Sequence, residues 1–446
     1  MAEQGGYIMR IYRNPLIPAL CLAHAVLAMG AQAQPIEVTL WHAQGGGNRL
    51  EALMEIVDGF NASQSEYAVN AVYKGGYGEV MNQTIAAYRA KKQPHMVQVY
   101  EIGTLTMMKS NAIVPVESLM KDAGYTVDWD DFLQPILSYY RSPEGKLLSM
   151  PFNSSTPVFF WNKDLYKKAG ITSPPKTWQE LGEQMTKLRA AGVECGYATA
   201  TDLWVHVENY SAVNDQPLGT KSNGLEGLDT ELVFNKTRVV DHYKRLKQWL
   251  GDGRAQFFGR QEKRGQHKAF FSGRCATVVL STAWQGTLER DAEFEWGAAP
   301  LLYESDLERK NSTIGGATFW TLNGHNAEDY KAVAAFFNYL ATPDVQIAYS
   351  KETGYVPVTT AAYEKMKAEG YFQEKPGREV PILSLKWAPT TKNSWGTRFG
   401  NWVQARKAIG AELENALAGT KTVDQAFDDA VRRGNEALRQ FEKQYR

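Results

Sequence analysis

The sequence has no excess charge of either sign, because 49 lysines and arginines balance 49 aspartates and glutamates in 446 residues. This balance gives no electrostatic basis for binding nucleic acid or an anionic membrane surface, so an anionic ligand must be recognised by local groups. Long apolar runs are also missing. Beyond the first 33 residues, no apolar segment reaches the roughly 20 residues that a membrane-spanning helix needs.

The sequence also lacks the motifs of common hydrolases. Neither H-E-x-x-H nor G-x-S-x-G occurs, and the seven histidines show no metal-ligand spacing. Three glycines at 45–47 precede a helical pattern but lack the lysine-serine ending of a nucleotide P-loop, which favours a tight turn over a phosphate loop. We therefore expect no cofactor, no metal and no catalytic residues. The abundance of carboxylates leaves a glycosidase-type pair as the enzymatic alternative.

Cysteine is scarce, and one of the three cysteines lies in an N-terminal export signal. Two arginines precede an apolar stretch at residues 16–30, and Ala31-Gln32-Ala33 is typical of a signal-peptidase site. The sequence thus predicts a signal peptide at 1–33, cleavage after Ala33 and export. Cys195 and Cys275 remain, and they can form one disulfide in an oxidising compartment; two separate buried thiols are the alternative.

The exported chain reads as an α/β protein. Its length of roughly 400 residues exceeds one ordinary core and predicts at least two lobes. Strand-like and helical segments alternate along it, which predicts parallel or mixed sheets. Residues 158–161, VFFW, are typical of a strand covered on both faces. We expect the preceding residues 153–156, NSST, to form a rigid polar loop at a ligand site; an ordinary turn is the alternative.

Four motifs resemble one family: QVYEIGT at residues 98–104, PFNSSTP at 151–157, IGGA at 314–317 and TGYVP at 353–357. With the KTWQEL segment at 176–181, they resemble the extracellular solute-binding proteins of ABC importers. Within that family, they are similar to the periplasmic proteins that bind sn-glycerol 3-phosphate. The resemblance extends in order from about Val38 to about Phe441. It implies a two-lobed α/β periplasmic binding protein fold of the Venus-flytrap type, with a hinge and an interlobe ligand cleft.

The resemblance also implies how the chain is divided and what it does. The expected N-terminal lobe comprises residues 34–149 plus 313–355, and the C-terminal lobe 150–312 plus 356–446. The expected function is periplasmic capture of sn-glycerol 3-phosphate or of glycerophosphodiesters such as glycerophosphocholine. A monomer would then deliver the ligand to a membrane permease with ATPase subunits. A sugar-binding protein of the same family is the alternative, because 12 tryptophans and 22 tyrosines would suit stacking on sugar rings.

Seven residues match the family's ligand contacts in type: Tyr77, Glu101, Ser155, Ser281, Gly316, Tyr355 and Arg406. The resemblance implies that Arg406 carries the main phosphate contact, since a guanidinium fork matches two phosphate oxygens. Further phosphate donors would be the Gly316 N–H, Ser281 and Tyr355. Glu101, Tyr77 and Ser155 would then contact the glycerol end of the ligand.

Alternatives to these roles are structural. Glu101 can cap the helix that follows it, Tyr355 can be a core aromatic, and Arg406 can pair with an acid on its own helix. One position also departs from the family, because Thr201 stands where the family has a tryptophan, with Trp204 three residues on. Loss of an aromatic wall weakens cation–π contact with choline, so the choice between glycerol 3-phosphate and glycerophosphocholine stays open.

Overall fold

The computed structural model describes residues 34–445, so the predicted signal peptide and its cleavage lie outside the described residues. Within this range, eleven strands form two sheets. The strands are β1 (Ile36–His42), β2 (Tyr67–Tyr73), β3 (Met96–Tyr100), β4 (Ile113–Val114), β5 (Met150–Ser155), β6 (Pro157–Asn162), β7 (Cys195–Ala200), β8 (Ala255–Phe258), β9 (Cys275–Ser281), β10 (Trp296–Pro300) and β11 (Gly315–Leu322).

The first sheet has the strand order β2-β1-β3-β11-β4, and β5 also pairs with β11. β1 runs parallel to β2 and β3, whereas β11 runs antiparallel to β3, β4 and β5. Strand β3 lies in the middle of this sheet, and the apolar residues of its sequence MVQVY are buried. Both of its faces are covered, as a near-continuous apolar strand requires.

The second sheet has the order β10-β6-β9-β7-β8 and is also mixed. The predicted VFFW strand is β6, which pairs antiparallel with β10 on one side and β9 on the other. The side chain of Asn162 at its end accepts a hydrogen bond from the Leu165 N–H and caps the helix Lys163–Lys168. Cys195 and Cys275 lie opposite each other on β7 and β9 and form a disulfide bond.

Helices cover both sheets, and in the described part of the chain none combines the length and apolar character that crossing a membrane requires. The longer helices are Asn48–Ser63, Tyr77–Arg89, Trp178–Ala190, Arg238–Gly251, Ala327–Leu340, Pro343–Thr353, Thr360–Ala368, Trp402–Ala418 and Val423–Tyr445. Shorter helices include Glu101–Gly103 (a 3-10 turn), Trp204–Asn209 (a π-helix), Gly265–Phe271, Gln285–Asp291 and Val380–Leu385.

The chain passes between the two sheets more than once. Strands β1 to β5 belong to the first sheet, β6 to β10 belong to the second, and β11 returns to the first. Buried residues between Ala362 and Leu385 pack in the hydrophobic cluster of the first sheet, whereas buried residues between Trp402 and Leu438 pack in that of the second. The lobe boundaries expected near 149, 312 and 355 stay predictions. The strand order favours a first boundary at Thr156 instead of 149. The hydrophobic clusters favour a last boundary beyond Leu385 instead of near 355.

One local prediction is wrong. Residues 153–155 do not form a polar loop but continue strand β5, which pairs with β11. The buried Asn153 side chain has a partner, since Nε2 of Gln98 donates to its Oδ1 at 2.8 Å, whereas the buried Ser154 hydroxyl has no hydrogen-bond partner among residues 34–445. The local sequence favours a turn, but pairing with β11 supplies hydrogen-bond partners for the backbone of residues 153–155 and makes them a strand.

Candidate functional site

A direct ion pair joins elements of the two hydrophobic clusters. Glu101 begins the 3-10 turn that follows β3, and Arg406 lies on the helix Trp402–Ala418, which packs on the second cluster. Nη2 of Arg406 donates to Oε1 of Glu101 at 3.1 Å, and the two side chains are 17% and 8% exposed. The structure thus brings together the arginine and the carboxylate that the sequence predicted for opposite ends of the ligand.

A second carboxylate completes this cluster. Glu208, on the π-helix Trp204–Asn209, accepts hydrogen bonds from both Nε and Nη2 of Arg406. This two-point contact fixes the plane of the guanidinium. Glu208 was not among the predicted site residues, although an acid inside the mostly apolar run LWVHVENY is a signal of a buried charge. The alternative that Arg406 pairs with an acid of its own helix is wrong, because both acids come from distant segments.

Burial sets the protonation of this cluster. It raises the pKa of Glu101 to about 7, with Arg406 opposing the rise and Glu208 adding to it. Desolvation acts to lower the pKa of Arg406, but the attraction of Glu208 and Glu101 outweighs it and raises that pKa. Arg406 therefore stays charged, whereas Glu101 changes between a charged acceptor and a neutral donor near pH 7.

Two tyrosines predicted as ligand contacts lie in polar and aromatic surroundings. Nδ2 of Asn153 donates to the Tyr77 hydroxyl at 2.8 Å, and the Tyr77 ring stacks on Tyr100 with centroids 5.1 Å apart. Burial and the nearby Tyr355 hydroxyl raise the pKa of Tyr77 well above its usual value. Tyr355 itself stacks on Tyr349 at 5.8 Å. Both tyrosines line one cavity, and Tyr77 keeps its proton as a neutral hydroxyl.

The remaining predicted residues lie where the chain leaves the first sheet. Ser155 ends β5 opposite Gly315, and Ser281 ends β9 opposite Pro157. Gly316 has a φ of 95°, and a Cβ at this position would collide with the Asn153 carbonyl oxygen. Only glycine fits this backbone without a shift. The Ser281 hydroxyl accepts a hydrogen bond from the Ala283 N–H at 3.3 Å, which is a local capping contact.

Trp204 contributes an aromatic surface at the same junction. Its Nε1–H donates to the Ile314 carbonyl oxygen at 3.3 Å, and its ring lies against Gly315. Thr201, at the position that departs from the family, has a buried hydroxyl with no hydrogen-bond partner among residues 34–445.

A cavity of about 500 Å³ lies beside Tyr77 and Tyr355. One wall is the glycine loop at 45–47 with the start of the helix Asn48–Ser63, and the opposite wall includes Trp284 from the turn after β9. Tyr77 and Tyr355, two of the seven predicted ligand contacts, belong to its lining. Its size is typical of pockets that hold small molecules.

Potential metal ligands converge elsewhere, at the edge of the first sheet. Atoms of His95, His325 and Asp329 lie within 4.8 Å of one another. These groups already have partners: Nδ1 of His95 accepts from the Thr39 N–H at 2.9 Å, and Asp329 belongs to the capping box of the helix Ala327–Leu340. Their hydrogen bonds account for this cluster as a connection between a strand and a helix cap.

Comparison with known proteins identifies the family. The profile of the bacterial extracellular solute-binding proteins matches residues 55–379, which is most of the chain. The chain belongs to this family. Among curated members, the "sn-glycerol-3-phosphate-binding periplasmic protein UgpB" of Pectobacterium atrosepticum is 40% identical over 432 residues, covering 95% of this chain and 96% of the relative. The protein of the same name from Salmonella typhimurium is 39% identical, covering 95% and 98%.

Solved structures of other solute-binding proteins share the fold. UgpB from Mycobacterium tuberculosis in complex with glycerophosphocholine has a TM-score of 0.74 at 22% identity, covering 92% of this chain and 99% of that one. The cyclic alpha-maltosyl-1,6-maltose binding protein of Arthrobacter globiformis has a TM-score of 0.73 at 21% identity, covering 91% and 100%. These likenesses concern the fold alone, and they confirm the predicted two-lobed α/β class of this solute-binding protein.

Proposed function

We propose that this chain is the periplasmic solute-binding component of an ABC importer, and that it captures sn-glycerol 3-phosphate or a glycerophosphodiester. The observation that carries the proposal is the contact between Arg406 and Glu101, which joins elements of the two hydrophobic clusters. A ligand held by both lobes favours the closed form, which is how such proteins signal occupancy. Curated relatives that are 39–40% identical carry this ligand in their names, which supports the ligand class.

The proposed role of Arg406 is to bind the phosphate with the atoms that its acidic partners leave free. Nε and Nη2 donate to Glu208 and Glu101, whereas Nη1 has no hydrogen-bond partner among residues 34–445. Two N–H groups of Nη1 therefore remain for phosphate oxygens, and Glu208 holds the guanidinium plane in place.

Two carboxylates beside the phosphate would oppose its binding if both were ionised. Because the pKa of Glu101 is raised to about 7 by burial, with Arg406 opposing and Glu208 adding to the rise, protonation of this one group costs little at neutral pH. A neutral Glu101 repels the ligand less and can donate a hydrogen bond to it. The proposal therefore gives Glu101 a protonated role in the complex.

The other predicted contacts complete the proposed site. The Gly316 N–H, Ser281 and Tyr355 serve as further phosphate donors, while Tyr77 and Ser155 contact the glycerol hydroxyls together with Glu101. Asn153 orients the Tyr77 hydroxyl by donating to it at 2.8 Å. Tyr77 can then donate its own proton to the ligand.

The proposed transport cycle follows from the family. After cleavage of the signal peptide, the chain acts as a monomer in the periplasm, and its closed form docks on a membrane permease with ATPase subunits. The ligand is bound and released without chemical change. The balanced charge of the chain agrees with a small-molecule partner and gives no basis for nucleic-acid binding.

Calorimetry tests the ligand class. We expect saturable binding of glycerol 3-phosphate and glycerophosphocholine, and no binding of maltose or free glycerol. Arg406→Ala should abolish binding, whereas the control Arg432→Ala should not, because the ion pairs of Arg432 within residues 34–445 are with Asp429 and Glu436 on its own exposed helix face. Binding of maltose alone would favour the sugar-binding alternative. Product analysis by NMR after long incubation would reveal turnover and thereby contradict a pure binding role.

A further inference from the structure

The cavity beside Tyr77 and Tyr355 has an unusual charge distribution. Three arginines line it, Arg49, Arg264 and Arg290, and no aspartate or glutamate belongs to the lining. Arg290 pairs with its neighbour Asp291 at 2.7 Å. Arg49 and Arg264, in contrast, form no ion pair with any carboxylate among residues 34–445. In a chain with as many acids as bases, this is a local concentration of positive charge.

Trp284 holds these two arginines at the cavity. The guanidinium carbons of Arg49 and Arg264 lie 4.5 Å and 5.2 Å from the centroid of its ring. Arg49 comes from the helix that follows β1, whereas Arg264 and Trp284 come from segments flanking β9, so the arrangement spans both walls. The contact positions the cations without neutralising them, since an aromatic face carries no net charge.

The positive charge of the same two arginines also acts on the nearby His267. Burial, together with the charges of Arg264 and Arg49, lowers its pKa to about 3. Its ring lies 4.5 Å from that of Trp284. Arg49 and Arg264 come from opposite walls and both act on His267. An anion bound between the two arginines would therefore be attracted by both.

The glycine loop adds neutral donors to this wall. The backbone N–H groups of residues 45–49 make no hydrogen bond with any group in the described range, and the helix Asn48–Ser63 has no side-chain cap. Gly46 and Gly47 both have positive φ values, 144° and 62°, which turn the loop into the helix. Donors and arginines therefore face one space of about 500 Å³.

We propose that this cavity is a second anion subsite of the cleft, which binds a negatively charged distal group of a glycerophosphodiester. The inference rests on the proposed function, because the first phosphate must lie at Arg406 for the distal group to reach Arg49 and Arg264 past Tyr77 and Tyr355. A cationic choline is disfavoured here, since the guanidinium groups repel it and already contact Trp284. The preferred ligand class is thus a phosphodiester whose second alcohol carries a phosphate or carboxylate.

A matched pair of ligands tests the subsite by calorimetry. Glycerophosphoinositol 4-phosphate and glycerophosphoinositol differ only in one distal phosphate. We expect the phosphorylated ligand to bind about tenfold more tightly or better, as charge-assisted hydrogen bonds to free arginines imply. The double variant Arg49→Gln/Arg264→Gln should lose this advantage and keep the affinity for glycerol 3-phosphate within about twofold. Added salt should reduce the advantage in the wild type.

Controls separate the possible failures. Arg274→Gln changes an arginine that contacts Glu194 and Gln256 away from the cavity, and it should leave the advantage intact. Melting temperatures of all variants should agree with the wild type, because Arg264 is exposed and Arg49 is half-buried. Equal affinity for the two inositol ligands would overturn the subsite. Absence of glycerol 3-phosphate binding would instead overturn the proposed function.

Discussion

Arg406 and Glu101 lie 305 positions apart in the chain, and Nη2 of the arginine donates to Oε1 of the glutamate at 3.1 Å. The pair joins the helix Trp402–Ala418 to the turn after β3, and Glu208 holds the other side of the guanidinium. Glu101 and Glu208 therefore both contact Arg406, and all three side chains are largely shielded from solvent. The strength of this cluster therefore depends on how its members are coupled, and each can be tested separately.

The first prediction concerns the coupling of Arg406 and Glu208. Glu208→Gln should destabilise the protein by about 2 to 4 kcal/mol, because it removes one partner of a buried charge. In a double-mutant cycle with Arg406→Met, measured by denaturant unfolding, the double variant should be much more stable than the sum of the single losses predicts. The exposed pair Arg432–Glu436 is the control, with expected coupling below about 0.5 kcal/mol. Additive losses at Arg406 and Glu208 would contradict the coupling.

The second prediction is proton uptake on ligand binding. Because burial raises the pKa of Glu101 to about 7, with Arg406 opposing the rise, the group is about half protonated at pH 7. An anionic ligand nearby raises this pKa further, so binding should take up at most about half a proton. Calorimetry in buffers of different ionisation enthalpy measures this uptake. Glycerophosphocholine is the suitable ligand, since its diester phosphate does not titrate near pH 7.

The control for proton uptake is Glu101→Gln, which preserves the shape of the side chain but cannot titrate. Its binding enthalpy should be independent of the buffer. Proton release by the wild type, or uptake that persists in the variant, would show that Glu101 is not the group that changes its charge.

The third prediction concerns the backbone at Gly316. Its φ of 95° and the collision of an added Cβ with the Asn153 carbonyl predict a loss of about 3 kcal/mol or more for Gly316→Ala, because a backbone atom must move. Gly124→Ala is the matched control, since Gly124 has a φ of 84° and nothing within 4 Å of the added Cβ. The control should cost only about 1 kcal/mol. Equal losses in urea unfolding would mean that the contact with Asn153 is easily relieved.

The sequence was most informative where strong local patterns agreed with the tertiary structure. The apolar run at 158–161 lies in β6, and Glu101 directly follows β3 as expected. The polar segment 153–155 was assigned to a loop because hydrogen-bonding side chains favour turns, yet pairing with β11 makes it a strand. Strand pairing between segments about 160 residues apart leaves no local signal.

The site was predicted in its residue types but not in its connections. The family resemblance identified Arg406 and Glu101, whereas Glu208 lies 198 residues from Arg406 and was not among the predicted residues. The same holds for Arg49 and Arg264, whose proximity to Trp284 depends on how the two walls of the cavity meet. The chemistry of a ligand predicts which residue types bind it, whereas the partners of those residues depend on how distant segments pack.

The last prediction concerns the disulfide between β7 and β9. Cys195 and Cys275 are buried and separated by 80 residues, so their bond constrains a long loop of the unfolded chain and should stabilise the protein by about 3 to 4 kcal/mol. Reductant should lower the melting temperature of the wild type but not that of Cys195→Ala/Cys275→Ala. Mass spectrometry after alkylation should find no free thiol unless reductant is added. A labelled thiol in the untreated protein would instead support two separate buried cysteines.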